Sequence, residues 1–112
     1  MTTLDISGIG VDIEDISRFR DLPFDSNKEF YSKLFTSDEI AYCNSKKDPY
    51  QHFAARFCAK EAFVKALGKK DLDYKKIEIH SDGGKPSISF EGKKALVSFA
   101  HEKDKAIAFV MV

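Results

Sequence analysis

The chain has no tryptophan, only two cysteines and no net charge, and each shortage narrows what it can be. With ten phenylalanines and no indole, an aromatic core has to be built from phenyl rings. The two cysteines, Cys43 and Cys58, form neither a CxxC pair nor any other metal-ligand spacing, so a reduced, cytoplasmic setting is expected. A formal charge of zero supplies no global field for holding a polyanion. Together with the absence of a nucleic-acid motif, that argues against a nucleic-acid partner. No apolar run is long enough to span a bilayer, and the first is too short for a signal peptide, so no membrane role is expected. Repeats and low-complexity segments are missing too.

What is present fits one globular domain covering residues 1–112, with 43% apolar residues. The neutral total hides a segregation of charge. Met1–Glu29 holds seven acids and three bases, whereas His52–Lys70 holds five bases and one acid, Glu61. The second segment suits an anionic small molecule.

Ile6–Ile13 reads as a strand whose Gly8 and Gly10 leave room for another backbone or a ligand. A short helical turn over Glu14–Arg20 and a break at Leu22–Ser26 follow. A short helix is expected over Asn27–Leu34. Thr36-Ser37-Asp38-Glu39 is a capping-box pattern that opens a helix to about Asn44. After the loop Ser45–Pro49, an alanine-rich helix runs from Tyr50 to Leu67 and stops at Gly68. Tyr74–His80, Ser87–Phe90, Leu96–Ala100 and Lys105–Val112 read as strands, with a turn at Ser81–Pro86. The last strand becomes wholly apolar, as an interior strand does. The order predicts an α+β fold with a mainly antiparallel sheet packed against a long central helix and shorter ones.

On that long helix, Phe53, Phe57 and Val64 share a stripe at 100° per residue, Glu61 lies at its edge, and Arg56 and Lys60 sit on the opposite flank. A carboxylate at a core border needs a counter-charge, either Lys65 one turn on or a metal ion. Taken alone, Glu61 and Lys65 read equally as a surface ion pair, and Arg56 as part of a solvated face. Lys60 fits either an ion pair or a phosphate contact.

The run Gly8-Ile9-Gly10-Val11-Asp12 followed by Arg18, the Phe35–Cys43 segment, Ala54–Phe57 through Lys60-Glu61-Ala62 to Lys65–Gly68, Gly84-Lys85-Pro86, and Ser98–Glu102 together resemble the holo-acyl-carrier-protein synthases. These are the small 4′-phosphopantetheinyl transferases. The resemblance spans nearly the whole chain. It implies transfer of the phosphopantetheine arm of coenzyme A to a serine of an apo acyl carrier protein, in fatty acid biosynthesis, with release of adenosine 3′,5′-bisphosphate. It implies magnesium, or manganese in its place, held by Asp12 and Glu61, and a homotrimer with active sites at subunit interfaces. Glu61, Lys65, His101 and Glu102 take the catalytic positions, with Glu102 as the group that removes the serine proton. Arg56, Lys65, Gly68, Gly84, Lys85, Pro86 and His101 take the coenzyme A positions, and Arg18 and Arg20 those that meet the carrier. The alternative is a module on the same fold that binds coenzyme A or a carrier without transfer.

Three departures from the family pattern stand out. Lys69-Lys70-Asp71 replaces a second glycine after Gly68. Only nine residues separate Pro86 from Leu96, so a helix common there is expected to be lost. Ala100 precedes His101 where a hydroxyl residue is usual.

Overall fold

The structure, a computed structural model, describes residues 6–81 and 84–112. Asp82 and Gly83 of the expected Ser81–Pro86 turn lie outside them. In chain order the elements are β1 (Ile9–Asp15), α1 (Ser17–Arg20), a 3-10 turn (Phe24–Ser26), α2 (Lys28–Leu34), α3 (Ser37–Asn44), α4 (Pro49–Leu67), a second 3-10 turn (Tyr74–Lys76), β2 (Glu78–His80), β3 (Ser87–Phe90), β4 (Lys93–His101) and β5 (Lys105–Met111). The strands form one antiparallel sheet in the order β1-β5-β4-β3-β2. The α+β expectation holds, and β5 is an interior strand as its apolar run suggested. Among the described residues no helix is long and apolar enough to cross a membrane.

The helix ends follow their local chemistry. At the start of α3 both arms of the capping box form: Glu39 N–H donates to Thr36 Oγ1 at 3.2 Å, and Thr36 N–H to Glu39 Oε1 at 2.8 Å. The Asp48 carboxylate caps α4 by accepting from Tyr50 N–H, with Pro49 in the first turn. Gly68, at φ 66°, closes α4 in the left-handed conformation.

Two expected strands change. Tyr74–Lys76 is a 3-10 turn rather than strand, because the Asp73 carboxylate accepts from Lys75 N–H and bends the chain. β4 starts earlier, at Lys93, because Glu91 and Gly92 both take positive φ (49° and 76°) and fold a tight hairpin onto β3. The helix expected to be lost between Pro86 and Leu96 is replaced by this hairpin.

α4 is not a one-sided helix: every residue from Phe53 to Lys60 is buried. One side packs on the sheet through Ala59, Ala62, Phe63 and Ala66, against Ile79, Ile88, Ala108 and Val110. The other side meets an aromatic cluster of Phe19, Tyr31, Phe35, Phe53 and Phe57, with Tyr31 and Phe53 ring centroids 4.6 Å apart. This is the phenyl-built core that the composition predicted. β1 lies against α4 so closely that a Cβ on Gly8 or Gly10 would collide with the carbonyl oxygens of Ala66 and Ala62. The room those glycines leave is taken by helix backbone.

The other face of the sheet is uncovered at β1, β5 and β4. Ile9, Val11 and Ile13, then Ile107 and Phe109, then Leu96, are 43–61% exposed. The register aligns Val11 with Phe109, and Phe109 with Ser98, in one row across the three strands. Such a contiguous apolar face marks an interaction surface.

Candidate active site

The contact between Gly10 and Ala62 brings β1 and α4 together two residues before Asp12 and one after Glu61. Asp12 stands on the α4 side of the sheet, its side chain 15% exposed. Its Oδ1 accepts from Lys65 Nζ at 2.8 Å, and the same ammonium donates to the Val11 carbonyl at 3.1 Å. The Cys58 thiol donates to the Asp12 main-chain carbonyl at 3.0 Å and reaches Asp12 Oδ2 at 3.7 Å. Burial, then the Asp12 carboxylate, push the Cys58 thiol up to about 12, so it is a neutral donor here. Hydrogen bonding to Asp12 raises Lys65 above the usual lysine range.

Sequence spacing offered Lys65 as the counter-charge of Glu61. In the fold its ammonium goes to Asp12 instead, because β1 delivers that carboxylate directly across from the last turn of α4. Glu61 is half-buried and neighbours the Tyr74 phenol, whose pKa burial and then Glu61 raise.

Lys60 is a correction of another kind. It is fully buried and donates to Glu39 Oε1 at 2.7 Å, the Leu34 carbonyl at 2.7 Å and the Tyr74 carbonyl at 2.9 Å. All three ammonium donors are used, so a phosphate contact is excluded. Glu39 Oε2 accepts from Ile79 N–H at 2.9 Å, which ties α3, α4 and β2 into one network.

Arg56 is no solvated face: it is 1% exposed. Its Cζ lies 4.1 Å from the Tyr42 ring centroid and 5.7 Å from that of Phe99. Nη2 donates to Ser81 Oγ at 2.5 Å, whereas Nε and Nη1 are buried and have no partner among the described residues. Unpaired buried donors on a guanidinium mark a place where an acceptor belongs. Arg56 borders a cleft of about 290 Å³ with Tyr42, Asp38, Glu78, His80 and Ser81. Of the carboxylates of that cleft, Asp38 is exposed to solvent and the other two are engaged. Glu39 is paired with Lys60, and Glu78 accepts from Thr36 Oγ1 at 2.8 Å and lies 3.7 Å from His80.

His101, at the end of β4, meets His52 of α4, ring centroids 5.8 Å apart. Glu102 is exposed in the β4–β5 hairpin, where Oε1 accepts from the amides of Asp104 and Lys105. Gly84 N–H donates to the Ser81 carbonyl at 3.3 Å, which sets Gly84, exposed Lys85 and half-buried Pro86 beyond the Arg56 cleft. Gly68, Lys69 and Lys70 are exposed past α4, and Asp71 takes the left-handed φ of 59°, a conformation aspartate tolerates better than most residues. Arg18 donates to Glu14 at 3.1 Å and lies 4.8 Å from the Phe57 ring centroid, half exposed. Arg20 instead forms a two-pronged pair with Asp48, at 3.1 and 2.7 Å, which holds α1 to the cap of α4.

Sequence reasoning missed Ser81, Tyr42, Cys58 and His52. Only His52 carried a local signal, being one helical turn before Arg56.

Asp12 and Glu61 fit a hard divalent ion. Among the described residues no group of three or more His, Cys, Asp or Glu stands together as a metal cage. A pair of carboxylates that leaves the remaining positions to water and phosphate oxygens is the donor set magnesium takes.

Residues 8–110 match the 4′-phosphopantetheinyl transferase superfamily. The chain is 41% identical over 111 residues to a holo-[acyl-carrier-protein] synthase of Thermodesulfovibrio yellowstonii, covering 96% of this chain and 98% of that one. Its fold is similar to the crystal structure of the Neisseria meningitidis synthase, with a TM-score of 0.83, 29% identity and coverage of 95% and 97%. It is also similar to the Bacillus anthracis synthase in complex with coenzyme A (3′,5′-ADP), with a TM-score of 0.80, 31% identity and 95% coverage of each chain. The chain belongs to the 4′-phosphopantetheinyl transferase superfamily, among its holo-acyl-carrier-protein synthases.

Proposed function

We propose that the protein transfers the 4′-phosphopantetheine arm of coenzyme A to a serine hydroxyl of an apo acyl carrier protein, in the cytoplasm and in fatty acid biosynthesis, with magnesium bound by Asp12 and Glu61. The observation that carries the coenzyme A assignment is Arg56, a buried guanidinium whose Nε and Nη1 have no partner among the described residues. A phosphate oxygen is the acceptor such a fork takes best. The Bacillus anthracis relative, which was crystallised with coenzyme A (3′,5′-ADP), points the same way.

In this reading Arg56 receives the 3′-phosphate, and His101 stands beside it. Gly68, Gly84, Lys85 and Pro86 line the rest of the nucleotide's path. Lys65, more than half exposed at its side chain and tied only to β1, swings from Asp12 to the pyrophosphate and neutralises the leaving group. Magnesium, when bound, offsets the charge of the pyrophosphate oxygens. The serine oxygen forms a bond to the phosphorus that bears pantetheine, the bond from that phosphorus to the bridging oxygen breaks, and adenosine 3′,5′-bisphosphate leaves. Glu102, held through Oε1 by the amides of Asp104 and Lys105, accepts the serine proton. Arg18 and Arg20 face the acidic carrier. The uncovered apolar face of β1, β5 and β4 supports a homotrimer, with the active sites at its subunit boundaries.

The test is to incubate the protein with coenzyme A, magnesium and an apo carrier, and to weigh the carrier. A gain of one phosphopantetheine is expected, and Asp12→Ala should abolish it while the protein stays folded. Coenzyme A binding with no mass gain across several carriers and metals would overturn the transferase in favour of a binding module.

A further inference from the structure

His52 belongs to none of the positions assigned so far. It lies one turn before Arg56 on α4, half-buried. Its ring packs edge-on against two others: His101 of β4 at 5.8 Å and 66°, and Tyr42 of α3 at 6.1 Å and 76°. Arg56 covers the same Tyr42 ring at 4.1 Å, and Lys46 from the α3–α4 loop approaches it at 4.6 Å. Arg56, His52 and Lys46 thus gather around the Tyr42 ring, and His101 of β4 joins them through its contact with His52.

The charged groups acting on His52 are Arg56, His101, Lys46 and Asp48. Asp48, the one carboxylate among them, is already engaged by Arg20 through both oxygens. Burial, then Arg56, His101 and Lys46, hold the His52 imidazole below its ordinary range. Gathering like charges in a partly buried place is unfavourable unless an anion enters it. Arg56, with two buried donors that have no acceptor among the described residues, marks the place where an anion fits.

We infer that His52 is a further residue of the phosphate site, and that it couples recognition of a phosphate monoester to uptake of a proton from solvent. The inference rests on the assignment of the coenzyme A 3′-phosphate to Arg56. In the free protein the imidazole is neutral near pH 7. A bound phosphate dianion reverses the local field, favours the imidazolium and gains a donor. Each pK unit by which the ligand raises His52 is worth about tenfold in affinity, present in full below the free-protein pKa and lost as pH rises through the ligand-bound one. Recognition of the 3′-phosphate therefore tightens as pH falls toward 6.

The test is calorimetric titration of the whole protein, at one fixed magnesium concentration, with adenosine 3′,5′-bisphosphate and with 5′-AMP, which lacks the 3′-phosphate. Repeating it at pH 6.5 in two buffers of different ionisation heat yields the protons taken up. His52→Phe keeps a ring against Tyr42 and His101 but cannot gain a proton. Once the ionisation of the additional phosphate at pH 6.5 is subtracted, wild-type protein should take up more protons with the bisphosphate than with 5′-AMP. His52→Phe should lose at least half of that excess and about threefold to tenfold of the preference for the bisphosphate. The ligand's own phosphate ionisation contributes equally to both proteins and cancels. His52→Gln must follow His52→Phe. Either variant retaining wild-type uptake and preference would overturn the inference alone. Wild-type protein that binds the two nucleotides equally would overturn the Arg56 assignment, and the inference with it.

Discussion

Lys60→Met tests whether the buried cation of the central helix holds the fold together or serves the ligand. The substitution keeps the apolar stem and removes the ammonium that joins Glu39 to the carbonyls of Leu34 and Tyr74. Burial pushes the Lys60 pKa down and Glu39 opposes that, so the ion pair is what keeps the cation inside. After the substitution, Glu39 keeps the Thr36 and Ile79 amides but no cation. Breaking a fully buried pair by deleting one partner costs about 3–5 kcal/mol. Against a total stability of about 5–15 kcal/mol for a domain, that is a large share. Urea unfolding followed by circular dichroism, at one protein concentration to keep any self-association constant, measures it. The double variant Glu39→Gln/Lys60→Met should lose less than the sum of the singles, because the orphaned charge is gone. Coenzyme A affinity at low temperature should be unchanged. A loss of only about 1 kcal/mol, the scale of a surface pair, would refute the reasoning. So would a fully stable variant that no longer binds coenzyme A.

Three further outcomes follow from the surfaces. Phe109→Asp puts a charge at the middle of the exposed β1–β5–β4 face; sedimentation should show wild-type trimers and mutant monomers, and a mutant that stays trimeric excludes this face as the interface. Arg18→Glu should weaken carrier binding about tenfold or more while leaving coenzyme A titrations unchanged. Loss of both, or of neither, counts against a docking role. Arg20→Glu should lower the melting temperature as well, because Arg20 also secures Asp48 at the cap of α4.

What could be read in the sequence was what local chemistry decides. Thr36 with Glu39, and Gly68, each fix a helix end within a few residues, and both formed as their residue types suggest. The interior place of β5 followed from its apolar run, whereas the order of the other strands did not show in the sequence. What could not be read depends on partners far along the chain. Lys60 finds Glu39 twenty-one residues away, and Arg56 finds Ser81 twenty-five residues away, so helical spacing alone left both on a solvated flank. Glu39 was legible as a capping residue, yet its second task as the buried counter-ion needed α4 and β2 in place. The Lys65 pairing was misjudged for the same reason: spacing offered Glu61 one turn away, whereas Asp12 is the better partner from fifty-three residues off.

The two glycines of β1 set a tolerance as well as a contact. Because Gly10 rests on the Ala62 carbonyl with no side chain between them, the gap between the carboxylates of Asp12 and Glu61 is gauged by main chain against main chain. The aromatic core lies on the other side of α4, so substitutions there do not enter that contact. One added methyl at Gly10 does what none of those changes can. It works as a shim, pushing β1 off the helix and Asp12 away from Glu61 together. The chemistry of the site is thus insulated from drift in the aromatic core and concentrated, as a vulnerability, in a single hydrogen atom.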